Sequence, residues 1–165
     1  MADKKQPQVL CSVATRGRYH TTLPLVLNAI INQTRPVDKL VIFDDNDEPQ
    51  DMRKELVYSY FFRMLDAKGI DWEWLFAEKK GQHHIHQKAN QMGFDWVWRC
   101  DDDAIPEPDV LEELLSWVDC TPNLGAVGGP IWTPPDIPVT AGVTGLIDKI
   151  NDEPNIQWGK FYAAQ

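Results

Sequence analysis

Residues 96–118 read "WVWRCDDDAIPEPDVLEELLSWV", and this stretch carries the plan of the chain. Trp96 to Arg99 is a short apolar run of strand length, and three aspartates, Asp101, Asp102 and Asp103, follow it closely. Pro108 and Asp109 then open a helix, because proline suits the first helical turn and early acids suit the positive end of the dipole. That helix is expected to run to about Val118, with Val110, Leu111, Leu114, Leu115 and Trp117 as its apolar residues. A strand that ends in carboxylates and leads into an amphipathic helix is one unit of an α/β layered protein, where ligands bind outside the carboxyl ends of the strands.

The same alternation recurs upstream. Val9 to Ala14 reads as the first strand, followed by the loop Thr15-Arg16-Gly17-Arg18. A helix begins near Thr21 or Thr22, tolerates Pro24 in its first turn, and buries a stripe of Leu23, Val26, Leu27, Ile30 and Ile31. The second strand, Lys39 to Phe43, runs straight into Asp44-Asp45-Asn46-Asp47, and a helix from about Asp51 to Lys68 stops at Gly69. Asp71 to Phe76 alternates Trp72 and Trp74 with acids, as a strand with one buried face does, so these tryptophans, with Trp96 and Trp98 at the same spacing, are assigned to the core. After Lys79-Lys80-Gly81 comes a helix from about His83 to Met92, ended by Gly93. Leu124 to Ile131 is expected as a last strand, and residues 132–165, rich in turn formers at first, as an irregular tail. One α/β domain over residues 1–165 follows, with a mostly parallel central sheet flanked by helices and a core over 8–131.

Bulk properties narrow the function. The 165 residues carry a net charge of −9, which argues against a broad basic footprint for nucleic acid. No stretch approaches the roughly 20 apolar residues of a membrane span, and "MADKKQPQ" lacks the apolar centre of a signal peptide, so no integral membrane segment and a cytoplasmic location are expected. Cys11, Cys100 and Cys120 are too few and too scattered for a disulfide framework and read as reduced thiols.

The chemistry concentrates at two strand ends. Asp44-Asp45 and Asp101-Asp102-Asp103 should share one rim, and adjacent carboxylates repel one another unless a cation neutralises them. A hard ion, Mn²⁺ or Mg²⁺, is the natural partner, with positions left for phosphate oxygens. The plainer alternative is an acidic turn that caps the following helix. His83 and His86 could share a helix face and hold zinc, but no further ligand has the usual spacing. The histidines, His84 among them, read instead as diphosphate contacts near a helix start, or as a solvated polar face. Arg16 and Arg18 are diphosphate contacts or surface cations, with contact expected for one of them. Trp132, beyond the last strand, is a candidate wall of the site.

Three of these stretches, "VLCSVATRGR" at 9–18, "QTRPVDKLVIFDDND" at 33–47 and "RCDDDAIPEPDVLEELL" at 99–115, resemble the landmarks of the family 2 glycosyltransferases, over roughly residues 8 to 131. The resemblance implies a Rossmann-like α/β sandwich, the A-type glycosyltransferase fold, and a nucleoside-diphosphate sugar as donor, a UDP-sugar first. It places Thr15 near the base and ribose, Asp45 on the base, and Asp101 and Asp103 in the Asp-x-Asp motif. Asp103 would ligate the metal, and Asp101 or Asp102 would hold the ribose or a metal-bound water. Gly81, Lys88 and Asn90 resemble the family's glycine and following helix near the diphosphate, although Ala89 stands where a basic residue is frequent. In inverting members the general base lies well downstream of the Asp-x-Asp motif. Asp136, Asp148, Asp152 and Glu153 have no matching context, so the base is unassigned, and the chain reads as truncated before an acceptor-binding segment. The expected function is metal-dependent, inverting transfer of a sugar to an unknown saccharide or other hydroxyl acceptor. The alternatives are a non-catalytic nucleotide-sugar-binding module and a nucleotidyltransferase, the latter disfavoured by the glycine-poor loop after the first strand.

Overall fold

Strand β1, Val9–Thr15, is buried along nearly its whole length. An apolar run of that kind, without alternation, belongs in a parallel sheet covered on both faces. The computed structural model describes residues 6–78 and 81–129, and β1 lies inside its sheet. It pairs in parallel with β2, Lys39–Asp44, on one side and with β4, Trp96–Asp101, on the other. Strand β3, Asp71–Phe76, extends the sheet beyond β2, giving the order β3-β2-β1-β4. Register brings Thr15 level with Asp44 and Ala14 level with Asp101, so three strands end together along one rim. The point between β1 and β4, where the chain reverses the direction in which it adds strands, is where such sheets open a crevice for ligands.

Helix α1, Leu23–Ile31, buries Leu23, Val26, Leu27, Ile30 and Ile31 completely. Each such side chain contributes roughly 1.5–3 kcal/mol by leaving water. Helix α2, Leu56–Lys68, packs beside it and against β3 through Tyr58 and Phe62, with Phe62 stacked on Trp72 at 4.0 Å and Tyr58 edge-on to Trp74 at 5.5 Å. Trp72 and Trp74 therefore pack as the strand spacing suggested. On the other face, α3, Gln82–Asn90, sets Ile85 and Ala89 against Leu10, Val41 and Phe43. Helix α4 spans Val110–Cys120.

The chain divides into two compact units, residues 1–111 and 112–165. The sheet, α1, α2 and α3 all belong to the first. In the second, the described residues hold most of α4 and a turn in which Asn123 takes a positive φ of 60°.

Two expectations need correction. The helix drawn from Asp51 to Lys68 is broken: Met52–Lys54 form a 3₁₀ turn, and Glu55 is extended, with ψ of 139°, before α2 begins. The Asp51 carboxylate accepts from the Arg53 backbone N–H and from its Nε at 2.6 Å, and Met52 is buried, so the turn has its own anchor. The strand expected from Leu124 is absent over 124–129. Gly125, Gly128 and Gly129 offer no side chains to pack there, which weakens a strand. Pro130, Ile131 and Trp132, with the whole 132–165 tail, lie outside the described residues.

Candidate functional site

The turns that follow β1 and β2 are sewn together by hydrogen bonds. The Asp45 N–H donates to the Thr15 carbonyl at 2.9 Å, and the Gly17 N–H donates to Asn46 Oδ1 at 2.6 Å. Gly17 has a φ of 72°, a conformation that a side chain disfavours. Above them opens a hollow of about 250 Å³ lined by Thr15, Arg16, Arg18, Asp45 and Asp102, with Ala14, Gly81 and Gln82. Five of the nine residues expected to hold a nucleotide sugar thus meet in one place. A second hollow of about 300 Å³, lined by Tyr60, Arg63, Met64 and Ala67, has no carboxylate in its wall and belongs to the outer side of α2.

Thr15 is 1% exposed, yet its Oγ1 has no hydrogen-bond partner. A buried hydroxyl without a partner costs free energy, so a polar ligand group is its natural complement. Thr15→Val keeps the β-branched shape and removes the hydroxyl. It should raise stability by about 0.5–2 kcal/mol in urea denaturation and at the same time weaken nucleotide binding. A valine variant less stable than the parent would show that the hydroxyl is satisfied in the fold.

Asp45 and Asp44 differ sharply. Asp45 accepts the Gly81 N–H at 3.2 Å and lines the hollow. Asp44, 1% exposed, is absent from that lining, and its oxygens are used inside the protein. They accept from the Tyr19 hydroxyl, from the Asn46 N–H at 3.1 Å and its Nδ2 at 2.8 Å, and from Trp74 Nε1 at 3.3 Å. Tyr58 joins the network, donating to the Tyr19 carbonyl at 2.6 Å. These bonds let Asp44, expected as a nucleotide contact, brace the turn that carries Asp45.

Burial and the bond to Asp44 push the Tyr19 hydroxyl up to about 12 from an ordinary 10.0, and burial pushes the Cys100 thiol up to about 12 from 9.0. Both groups hold their protons more tightly when folded. Their contribution to stability is complete below the unfolded values of 9.0 and 10.0 and is lost as pH rises toward about 12. Urea midpoints should therefore fall above about pH 9, and Tyr19→Phe should flatten the decline. A midpoint unchanged up to pH 11 would contradict these shifts.

The acidic triplet is spread rather than gathered. Asp101 ends β4, and Asp102 and Asp103 lie in the turn beyond it. Asp102 Oδ2 accepts the Arg16 N–H at 3.1 Å, and Asp103 Oδ2 receives Arg18 Nη2 at 3.0 Å. Repulsion between neighbouring carboxylates is thus relieved by the loop after β1. Arg16 sends its guanidinium to Asp47 at 2.7 Å. Among the described residues no three acidic, histidine or cysteine side chains converge as a ready metal cage.

The remaining expected contacts lie elsewhere. Lys88 pairs with Glu78 at 3.5 Å, and His84 is half-buried, its Nε2 unpartnered, outside the lining of the hollow. His86 is pulled below its ordinary value by burial and then by Arg99. Asn46 and Gln82 were missed. Asn46 had a legible signal, because an aspartate that opens a turn commonly accepts the N–H two residues on, as Asp44 does here. Gln82 had none.

Residues 13–141 match the family described as Glycosyl transferase family 2. The chain belongs to that family. This glycosyltransferase family member is similar to Galactofuranosyltransferase GlfT1 of Mycolicibacterium smegmatis, 33% identical over 118 residues that cover 66% of this chain and 35% of that protein. It is also similar to Glucosyl-dolichyl phosphate glucuronosyltransferase of Haloferax volcanii, 28% identical over 127 residues, covering 74% and 37%. The chain spans roughly a third of the length of these curated relatives. Among solved structures it resembles mannosyltransferase PcManGT from Pyrobaculum calidifontis in complex with GDP-Man and Mn²⁺, with a TM-score of 0.56, 23% identity, and coverage of 76% of this chain and 36% of that one. It also resembles S. aureus TarS 1-349 in complex with UDP-GlcNAc, with a TM-score of 0.51, 16% identity, and coverage of 68% and 31%. The architecture is that of the A-type glycosyltransferases.

Proposed function

We propose that this chain binds the donor of a glycosyltransferase that moves a sugar from a nucleoside diphosphate to a hydroxyl acceptor, with a UDP-sugar as the first candidate. The observation that carries this is the hollow at the strand ends, which Thr15, Asp45 and Asp102 line together with Arg16 and Arg18. A carboxylate there accepts a ribose hydroxyl or a base N–H, and Arg16 and Arg18 at the rim suit a diphosphate. The relatives' names and the nucleotide sugars bound in the neighbouring structures support the class of donor.

The donor set also fits a divalent ion. Mn²⁺ or Mg²⁺ is commonly held by one or two carboxylates and completed by phosphate oxygens and water, so a full protein cage is not required. Asp101 and Asp103 would hold it, and the bound ion would offset charge on the leaving nucleoside diphosphate. Inverting transfer is part of the proposal, with the base that takes the acceptor proton unassigned among the described residues. The buried free thiols Cys11 and Cys100 suit a reducing, cytoplasmic setting. Among the described residues no helix is long and apolar enough to cross a membrane.

Thermal-shift measurement with UDP, GDP and ADP, each with and without Mn²⁺, tests the reading. A nucleotide at 100 times its Kd adds about 2.7 kcal/mol of stability, and this gain should require Mn²⁺. If no nucleoside diphosphate raises the melting temperature under either condition, the donor-site proposal fails.

A further inference from the structure

We infer that Arg18 competes with the divalent cation for Asp103, and turns from Asp103 to the donor diphosphate when nucleotide and cation bind together. The inference rests on the donor-site reading and adds a positioning residue to it. Arg18 Nη2 lies 3.0 Å from Asp103 Oδ2, and the same side chain lines the hollow beside Thr15 and Asp102. A cation that seeks this carboxylate therefore meets a competitor of like charge, held by a hydrogen bond. The pair is weak enough to exchange: its side chains are 44% and 49% exposed, and half-exposed pairs contribute little. Once released, the planar guanidinium stands at the rim, where its paired N–H groups match phosphate oxygens.

Arg16 supplies the contrast. It lines the same hollow, but its guanidinium binds Asp47, and only its backbone N–H reaches the triplet, at Asp102. Two arginines in one loop thus place similar charge near the site, and one of them occupies a metal carboxylate. Binding of cation and nucleotide should therefore be mutually favourable beyond their direct contact, since each relieves the cost that the Arg18 pair imposes on the other.

The test follows free Mn²⁺ by electron paramagnetic resonance, with the full chain, alone and with UDP or GDP. Without nucleotide, Arg18→Ala should bind Mn²⁺ about five- to tenfold more tightly than the parent, the effect of removing one charge at close range. Arg16→Ala should change this affinity less than about twofold, and Arg18→Lys, which keeps the charge, should stay near the parent. The factor by which nucleotide tightens Mn²⁺ binding should shrink in Arg18→Ala. Equal gains in the two alanine variants would reveal a general field and overturn the inference, as would an unchanged Arg18→Ala. If the parent binds neither Mn²⁺ nor nucleotide in any combination, the donor-site reading itself falls.

Discussion

Asp44→Ala should unfold far more readily than Asp45→Ala, although the two residues are neighbours of the same type. Removing the Asp44 carboxylate strands the Tyr19 hydroxyl proton and Trp74 Nε1 in a buried place and takes one acceptor from the Asn46 amide, which keeps the Thr15 carbonyl at 3.4 Å. Each orphaned donor costs about 1–3 kcal/mol, so a loss of about 3–5 kcal/mol is expected after partial relaxation. That is a large share of the 5–15 kcal/mol typical of a domain. Asp45→Ala loses one bond, from the Gly81 N–H, and should cost about 1 kcal/mol in stability. Its penalty falls on nucleotide binding, at about 1.5–3 kcal/mol, or roughly 10- to 150-fold in Kd. Urea denaturation and calorimetric titration of both variants decide the matter. Equal destabilisation would return Asp44 and Asp45 to a shared role.

Asp103→Ala carries the other large effect. It should erase the Mn²⁺-dependent part of nucleotide affinity, a fall of at least the 10- to 100-fold that loss of even an outer-shell partner brings about. Stability should change by no more than about 1 kcal/mol, because the Arg18 pair is half-exposed. The informative quantity is the ratio of Kd values with and without Mn²⁺. A ratio equal to that of the parent would remove Asp103 from the metal site.

Much of this was legible in the sequence for one physical reason. Strands covered on both faces are continuous apolar runs, strands covered on one face alternate, and helices packed on one face are periodic, so β1 and β2, the alternating β3 and the stripe of α1 announce themselves. The ends of β2 and β4 were drawn slightly short, because strand pairing carries Asp44 and Asp101 into the ladder. That extension also separates Asp44 from Asp45. Asp44 continues the two-residue period of Leu40 and Ile42 and is buried with them, whereas Asp45 lies past the last paired residue. The break at Glu55 escaped notice because helix periodicity does not register a 3₁₀ turn anchored by Asp51. The placements of Lys88 and His84 depend on long-range neighbours, and no local pattern encodes them.

The strand order has a consequence for how the protein is made. Strands β1, β2 and β3 lie within residues 9–76 and neighbour one another in sequence, whereas β4 begins only at Trp96 and must return to the free side of β1. A chain emerging from the ribosome can therefore pair its first three strands early, leaving the outer edge of β1 as an open template for misassociation. Insertion of β4 seals that edge and delivers Asp101, Asp102 and Asp103 in the same event. Substitutions that slow the arrival of β4 would then appear in cells as aggregation during synthesis, even where the finished protein is stable.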